Sequence, residues 1–381
     1  MNLIVYPALN GDCILMQTDG GNNILVDGGY VETYKHFLRP KLCEIQHMGE
    51  NIDLVITTHI DRDHISGIIS MLEDELLVPI REIWYNGYRH AQRKMHTSNI
   101  KETIIHRPII SDSISNETIP VGAVQGCTLS ALIQRRGLAW NLAFEGKAII
   151  GIKKCIPLGY DRIYVLTPNE DNLNKLQKYW EKELLKRNLL SAEHREEFWD
   201  DAYEFELAKD TPGFHFKNVP ISSNLKIEEL KKNMYIPDDS KTNGSSISFV
   251  LESGKRRILM MSDAHAEDIL NALRVIYPKE KTIHFDAIKM SHHGSFSNNS
   301  PELLGMIDSN KWIISTNGDL YGHPDLETLV HIISKDKVNR RVIYCNYFTD
   351  AIDKLKNENW HQQYKYDVVV ATEQKPLVID I

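Results

Sequence analysis

The sequence predicts an α/β protein in which short buried strands alternate with helices. Two patterns carry this expectation: short runs rich in Ile, Leu and Val are cut by Gly-containing turns, and stretches with apolar residues three and four apart lie between them. Composition agrees. The 381 residues are 42 % hydrophobic and 25 % charged, the profile of a globular chain with length for one large domain or two of average size.

Strands are expected at 3–6, 13–17, 22–27 and 52–58, separated by the turns at Asn10-Gly11 and Gly20-Gly21-Asn22-Asn23. A helix is expected over 65–72, followed by strands at 81–85, 148–152 and 162–166. From 169 to 209 the chain turns helical and charged, with Leu173, Leu176, Tyr179 and Trp180 at helix spacing. It reads as an inserted hairpin. Residues 217–242 are polar and irregular, so 168–242 is taken as an insert within a single domain spanning 1–381. Strands then resume at 247–251 and 257–261, with a helix at 266–277, a strand at 285–290, a helix at 301–307, a strand at 312–315 and a helix at 325–334. Strands at 341–346, 366–371 and 377–381 close the chain.

Lys and Arg number 44 against 52 Asp and Glu, a formal charge of −8 that repels a polyanion unless local features overcome it. The N-terminus lacks the basic start of a signal peptide, and no apolar run approaches a membrane span. The five cysteines (Cys13, Cys43, Cys127, Cys155 and Cys345) are odd in number, scattered and never in Cys-x-x-Cys spacing. A disulfide framework and a thiolate zinc site are therefore disfavoured, and a reducing cytoplasm is expected.

The most specific feature is Thr57-Thr58-His59-Ile60-Asp61-Arg62-Asp63-His64-Ile65-Ser66-Gly67, where a strand gives way to a helix. A solvated turn with an Asp cap explains Asp63 but not two flanking histidines. Alternation in His59, Asp61 and Asp63 along extended backbone sends ligands to one side, and His64 turns toward a neighbouring point, an arrangement suited to two metals. Such a site also needs a bridging carboxylate and more imidazoles from other strand ends. Asp263, and His292-His293 before Gly294-Ser295, are placed to supply them.

The ordered set Asn10-Gly11-Asp12-Cys13, Leu25-Val26-Asp27-Gly28-Gly29, His59 to His64, Asn243-Gly244-Ser245-Ser246, Met261-Ser262-Asp263, Ser291 to Ser295 and Tyr321-Gly322-His323-Pro324 resembles the metallo-β-lactamase superfamily. Within it, the set is most similar to the hydrolase domain of the competence protein ComEC and its stand-alone soluble relatives. The resemblance spans about 2–167 and 243–345 and leaves out the insert. It implies an αββα sandwich of two mixed sheets flanked by helices. It also implies His59 and Asp61 at one metal, Asp63 and His64 at a second, Asp263 bridging, and His292 completing the second site with His293 as its rival. Asp27, Asn243 and Ser245 would support these ligands, and Asp12 would hold the first turn. Two departures matter: Asp61 stands where many members have His, and 243–246 supply no imidazole where most have one. More oxygen in the donor set shifts preference toward Mn²⁺, with Zn²⁺ also admitted.

The function implied is that of a binuclear metal-dependent hydrolase using a metal-bridging hydroxide, with a phosphodiester, DNA or RNA as substrate and Asp63, His293 and His323 as catalytic groups. Two alternatives stand beside it: a small-molecule phosphodiesterase or lactone or ester hydrolase, and a weakly active component of a multi-protein, defence-like system that binds a protein partner through the insert. No membrane partner is expected. Basic stretches at 89–96, 135–136, 255–257 and 340–341 read as solvated faces, 89–96 being the best candidate for phosphate contact. Ser300 reads as a helix cap.

Overall fold

The computed structural model describes residues 1–75, 78–87, 90, 129–151, 155–186, 226–372 and 375–381, with the side chains of 180–186 left aside. Strands β1 (Asn2–Val5), β2 (Ile14–Gln17), β3 (Asn23–Val26), β4 (Leu54–Ile56) and β5 (Ile83–Trp84) form one sheet. The second sheet is built from β6 (Ile156–Leu158), β7 (Asp161–Thr167), β8 (Ser248–Ser253), β9 (Arg256–Met260), β11 (Ala287–Lys289), β13 (Lys311–Ile314), β14 (Arg341–Cys345) and β15 (Tyr366–Val370). Strand β16 (Leu377–Asp380) returns to the edge of the first sheet beside β1. Strands β10 (Ile283–Phe285) and β12 (Ile307–Ser309) make a small parallel pair.

Period-two alternation explains the layering. Leu3, Val5, Ile14, Met16, Ile24, Val26, Leu54 and Ile56 of the first sheet pack against Val165, Phe249, Leu251, Ile258, Met260 and Ile313 of the second. The residues between them in sequence, Ile4, Leu15, Leu25 and Val55, face away and cover helical residues such as Leu42, Ile45, Ile65 and Ile68. On the outer face of the second sheet, Val250, Leu259, Ile288 and Trp312 pack against Ile269, Leu273 and Leu329 of the helices Ala266–Ile276 and Leu326–Ile333. The order is helices, sheet, sheet, helices, as the metallo-β-lactamase fold requires.

Strands β3 and β4 run parallel, and so do β9, β11 and β13. Their C-terminal ends therefore open on one side of each sheet, the side on which α/β proteins place ligands. At that edge β3 passes through Asp27, in left-handed conformation at φ +55, to Gly28. The helix Arg62–Glu73 docks there so closely that its Gly67 N–H donates to the Gly29 carbonyl at 2.8 Å, and Gly28 N–H donates to the His64 carbonyl at 2.9 Å. A Cβ on Gly67 would lie 1.9 Å from the Gly28 carbonyl oxygen, so no larger residue fits.

Several expectations shift. The helix begins at Arg62 rather than 65, because the Asp61 carbonyl accepts from the amides of both His64 and Ile65. Asp61 is extended, but Asp63 and His64 lie in the first helical turn. The strand expected at 285–290 breaks at Asp286, whose carboxylate accepts from Arg257 N–H at 2.7 Å, and its halves enter different sheets. Residues 148–151 form no strand; the Ile149 N–H and carbonyl are instead bonded to the Asn86 side chain. The helix at 301 stops at Met306, since Ile307 starts β12. Of the expected hairpin, the helix Glu170–Lys186 is described; 187–209, with Trp199, Tyr203 and Phe205, lies outside the described residues, as do Cys127 and 89–96 apart from His90.

Among the described residues no helix is long and apolar enough to cross a membrane. Cys13 and Cys345 are buried, Cys43 and Cys155 half-buried, and none of these four is in a disulfide. Most described basic turns are ion-paired: Arg256 with Asp19, and Arg257 with Glu252 and Glu280. Arg341 departs from the expected solvated face, being buried against Asp308 and Asp336. The Ser300 hydroxyl caps its helix by accepting from Leu303 N–H at 3.1 Å.

The Gly28–Gly67 contact yields a prediction. Gly67→Ala must push the helix off the strand end, and a cost of about 3 kcal/mol in unfolding free energy is expected by chemical denaturation. An unchanged midpoint would show that the close approach is not required.

Candidate metal centre

The sheet ends bring four imidazoles around one carboxylate oxygen. From Asp263 Oδ2, the Nε2 atoms of His64, His293, His59 and His292 stand at 3.5, 3.6, 3.8 and 3.9 Å. His59 Nε2 lies 3.5 Å from Asp61 Oδ2, while His64 and His293 each lie 3.9 Å from Asp63 Oδ2. His59, His64 and Asp263 form one grouping of ligand spacing, and Asp63, His64 and His293 another.

Every ring is held by its other nitrogen. His64 Nδ1 donates to Asp27 Oδ2 at 2.8 Å and His293 Nδ1 to the Ser315 carbonyl at 2.7 Å. His292 Nδ1 donates to Asn298 Oδ1 at 2.9 Å. Thr58 uses its hydroxyl proton on Asp27 Oδ2 at 2.7 Å, so its oxygen accepts from His59 Nδ1 at 3.0 Å. All four rings thus carry the proton on Nδ1 and aim Nε2 at a shared space. The buried Nε2 atoms of His59, His64 and His293, and Asp263 Oδ1, have no hydrogen-bond partner. Orphaned acceptors of this kind, each backed by a fixed outer partner, are what a metal site requires. The residues fit the donor set of a divalent-metal site.

Charge supports the same conclusion. Asp12, Asp27, Asp61, Asp63 and Asp263 converge here, and the only buried side-chain cation beside them among the described residues is Lys289, whose Nζ donates to Asp12 Oδ2 at 2.6 Å. Burial alone would raise the pKa of Asp12, but the Lys289 ammonium outweighs it and holds the carboxyl below its usual range. Burial likewise opposes ionisation of Asp263, yet His293, His64 and His292 keep it well below the carboxylate range. For His64, burial is overcome by Asp263, Asp63 and Asp27, which raise its pKa well above the ordinary imidazole value, so the site favours positive charge at Nε2. His293 goes the other way: burial dominates and lowers it to about 3. Asp63 is raised to about 6 by burial, reinforced by Asp61 and Asp263 against His64.

The structure sorts the expected residues. His59, Asp61, Asp63, His64, Asp263, His292 and His293 converge, and Asp27 holds both the His64 ring and the Thr58 N–H, the latter at 2.8 Å. Of the rival histidines, His293 belongs to the buried groupings, while His292 sits nearer solvent. Asn243 reaches His292, with Nδ2 3.5 Å from Nδ1, but the Ser245 hydroxyl turns back to the Thr242 carbonyl. His323 lies at the mouth, its ring 5.3 Å from that of His292 and its Nδ1 donating to Asp325 Oδ1 at 3.1 Å. Asp12 does more than hold a turn, because it pairs with Lys289 beneath His293.

Sequence reasoning missed several contributors. Asn10 Nδ2 donates to Asp63 Oδ2 at 2.7 Å, and Asn10 Oδ1 accepts from Tyr30 OH at 2.9 Å. Thr242 Oγ1 donates to Asp61 Oδ2 at 3.3 Å. Tyr321 stacks on His323, with centroids 5.8 Å apart. Asn10 and Tyr321 stand inside motifs already singled out, which is the signal that pointed to them.

The model of the metallo-beta-lactamase superfamily matches residues 6–80, a segment that holds Asp12, Asp27 and the His59–His64 cluster. No curated protein matches the chain in sequence. Among solved structures the chain is similar to CmlA, a diiron beta-hydroxylase from Streptomyces venezuelae, at 9% identity and a TM-score of 0.37. That match covers 100% of this chain and 54% of the other. It is also similar to Zn²⁺-bound PqqB from Methylobacterium extorquens, at 10% identity and a TM-score of 0.41, covering 100% of both chains. The chain spans about half the length of CmlA. The matched segment and the layered sandwich together support the metallo-β-lactamase superfamily.

A pH signature follows from Asp63. Its proton is bound more tightly in the folded protein, so its contribution to stability is present below the unfolded carboxyl pKa of about 3.9 and is lost as pH rises through about 6. Metal-free Asp63→Asn protein is therefore expected to be more stable than wild type by about 1–3 kcal/mol at pH 7 and no more stable at pH 3.5. Denaturation at both pH values checks this, and an equal effect at both would contradict it.

Proposed function

We propose that the chain is a binuclear metal-dependent hydrolase that cleaves phosphodiesters. The observation that supports this best is the convergence of four imidazole Nε2 atoms on Asp263 Oδ2, every ring locked in one tautomer. Asp63, His64 and His293 would hold one ion and His59 with Asp61 the other, Asp263 serving both. His292 belongs on the His59 side: Asn243 approaches it, and the adjacent Thr242 touches Asp61. It would fill the place for which 243–246 supply no imidazole. Mixed carboxylate and imidazole donors suit Mn²⁺ or Zn²⁺. When bound, such ions provide Lewis acidity and a nucleophile from water near neutral pH.

The chain's own groups divide the remaining work. Asn10 fixes the Asp63 carboxylate from one side, so its free lone pairs face the centre. With Nδ1 donating to Asp325, the neutral His323 ring presents Nε2 at the mouth as an acceptor for a water or a substrate hydroxyl. Burial and the nearby Asp63 and Asp61 push the Tyr321 hydroxyl far above neutrality, so it stays protonated and able to donate to a developing charge. Support for a phosphodiester, DNA or RNA among them, comes from the order of the motifs, which is most similar to the ComEC-type branch.

Wild-type protein with Mn²⁺ is expected to hydrolyse bis-nitrophenyl phosphate, and Asp63→Ala and Asp263→Ala to lose the activity by more than about a hundredfold, beyond the usual effect of supporting residues. Opening of lactones without cleavage of this ester would overturn the phosphodiester reading. Cleavage of the ester with nucleic acid left intact would restrict it to small molecules. Failure of the gently purified protein to retain or take up any divalent metal would sink the hydrolase reading itself.

A further inference from the structure

The irregular segment 231–242, which the family resemblance leaves out, enters the metal centre through one carboxylate. Asp238 Oδ2 accepts from Asn298 Nδ2 at 2.8 Å and from Asn243 Nδ2 at 2.7 Å, while Asp238 Oδ1 accepts from Ser240 N–H at 2.9 Å. The segment is pinned there by Asp238 N–H donating to the Ser297 carbonyl at 3.0 Å and by Tyr235 OH donating to Glu267 Oε1 at 2.8 Å.

Asn298 is fully buried, so its amide has a fixed set of neighbours. Its Nδ2 faces two oxygens that can only accept, Asp238 Oδ2 at 2.8 Å and the Asp263 carbonyl at 3.2 Å. Reversing the amide would set oxygen against oxygen at both places, which a buried site does not tolerate. The amide oxygen therefore points the other way, to His292 Nδ1 at 2.9 Å, and an oxygen there requires the proton to be on Nδ1. The Asn243 Nδ2 approach to the same atom is 3.5 Å long and does not compete. Nε2 of His292 is left as a bare lone pair 3.9 Å from Asp263 Oδ2.

We propose that Asp238 is a positioning residue of the metal centre, fixing the amide of Asn298 and through it the tautomer of His292. His59, His64 and His293 take their outer partners from strand ends and the turns that follow them; His292 takes its own from a relay that starts in the insert. The insert is thereby required for the fourth imidazole to face the ions. That last step rests on the proposed metal-centre reading, whereas the tautomer does not.

The test uses the full chain. In metal-free wild-type protein, long-range proton–nitrogen NMR is expected to show His292 with its proton on Nδ1, the signal being assigned by its loss in His292→Gln. In Asp238→Ala the amide of Asn298 keeps only its longer bond to the Asp263 carbonyl, so its orientation is less strongly held and His292 is expected to become a mixture of tautomers while His64 and His293 keep theirs. Mn²⁺ affinity by calorimetry is expected to fall about tenfold. Asp238→Asn keeps the shape but makes the acceptor neutral and adds a competing donor; it is expected to fold with a near-normal thermal midpoint and to show the same loss more weakly, and it decides the matter if the Ala variant does not fold. An unchanged His292 tautomer in the folded variants would overturn the proposal. So would an unchanged tautomer accompanied by lost affinity, since that assigns Asp238 a merely structural role. Wild-type protein that shows the expected tautomers but binds no Mn²⁺ would refute the metal reading and leave the relay standing.

Discussion

The buried carboxylate of Asp27 is the constraint on which the centre depends. It accepts from the Thr58 amide, the Thr58 hydroxyl and the His64 ring, and so binds the end of β3 to the end of β4 and to the first turn of the helix Arg62–Glu73. Through Thr58 it also sets the ring of His59. One side chain thus orients two ligands that are five positions apart in sequence and belong to different elements. Its placement needs the left-handed turn at the end of β3 and the contact of Gly28 with Gly67, so backbone geometry that looks remote from the chemistry decides where the imidazoles point.

The opposite sheet answers with a different device. Asp263, His292 and His293 follow parallel strands β9 and β11, and His292 and His293 both adopt left-handed backbone, with φ of 42° and 57°. Strain at consecutive non-glycine residues persists only where surroundings over-determine it. Here the surroundings are the Ser315 carbonyl, the Asn298 amide and the buried Lys289–Asp12 pair beneath. The left-handed bend turns two adjacent side chains, which an extended strand would send to opposite faces, toward one oxygen of Asp263.

Much of this was legible from residues alone, and the limits have physical causes. The strands showed because their alternation serves two buried faces, and the 59–64 cluster showed because its residues are close in sequence as well as in space. The break at Asp286 was hidden, since the run on either side is apolar and only the pairing of Arg257 with the Asp286 carboxylate divides it. Asp238, Asn298 and Ser315 were hidden for another reason. Asn298 and the Ser315 carbonyl each hold an imidazole through a single hydrogen bond, and Asp238 holds the Asn298 amide; neither residue type nor spacing marks such contacts. Asp12 was seen and under-read, because its partner Lys289 lies 277 positions away.

The ligand set is drawn from residues 59 to 293, across both sheets and across the segment that interrupts them. Neither half of the chain can assemble it alone. Loop closure over such separations is slow and comes only once distant strands have docked. An ion that binds this pocket would therefore act as a late latch on folding: it would do little to guide the early collapse, and would slow the parting of two sheets that had already found one another.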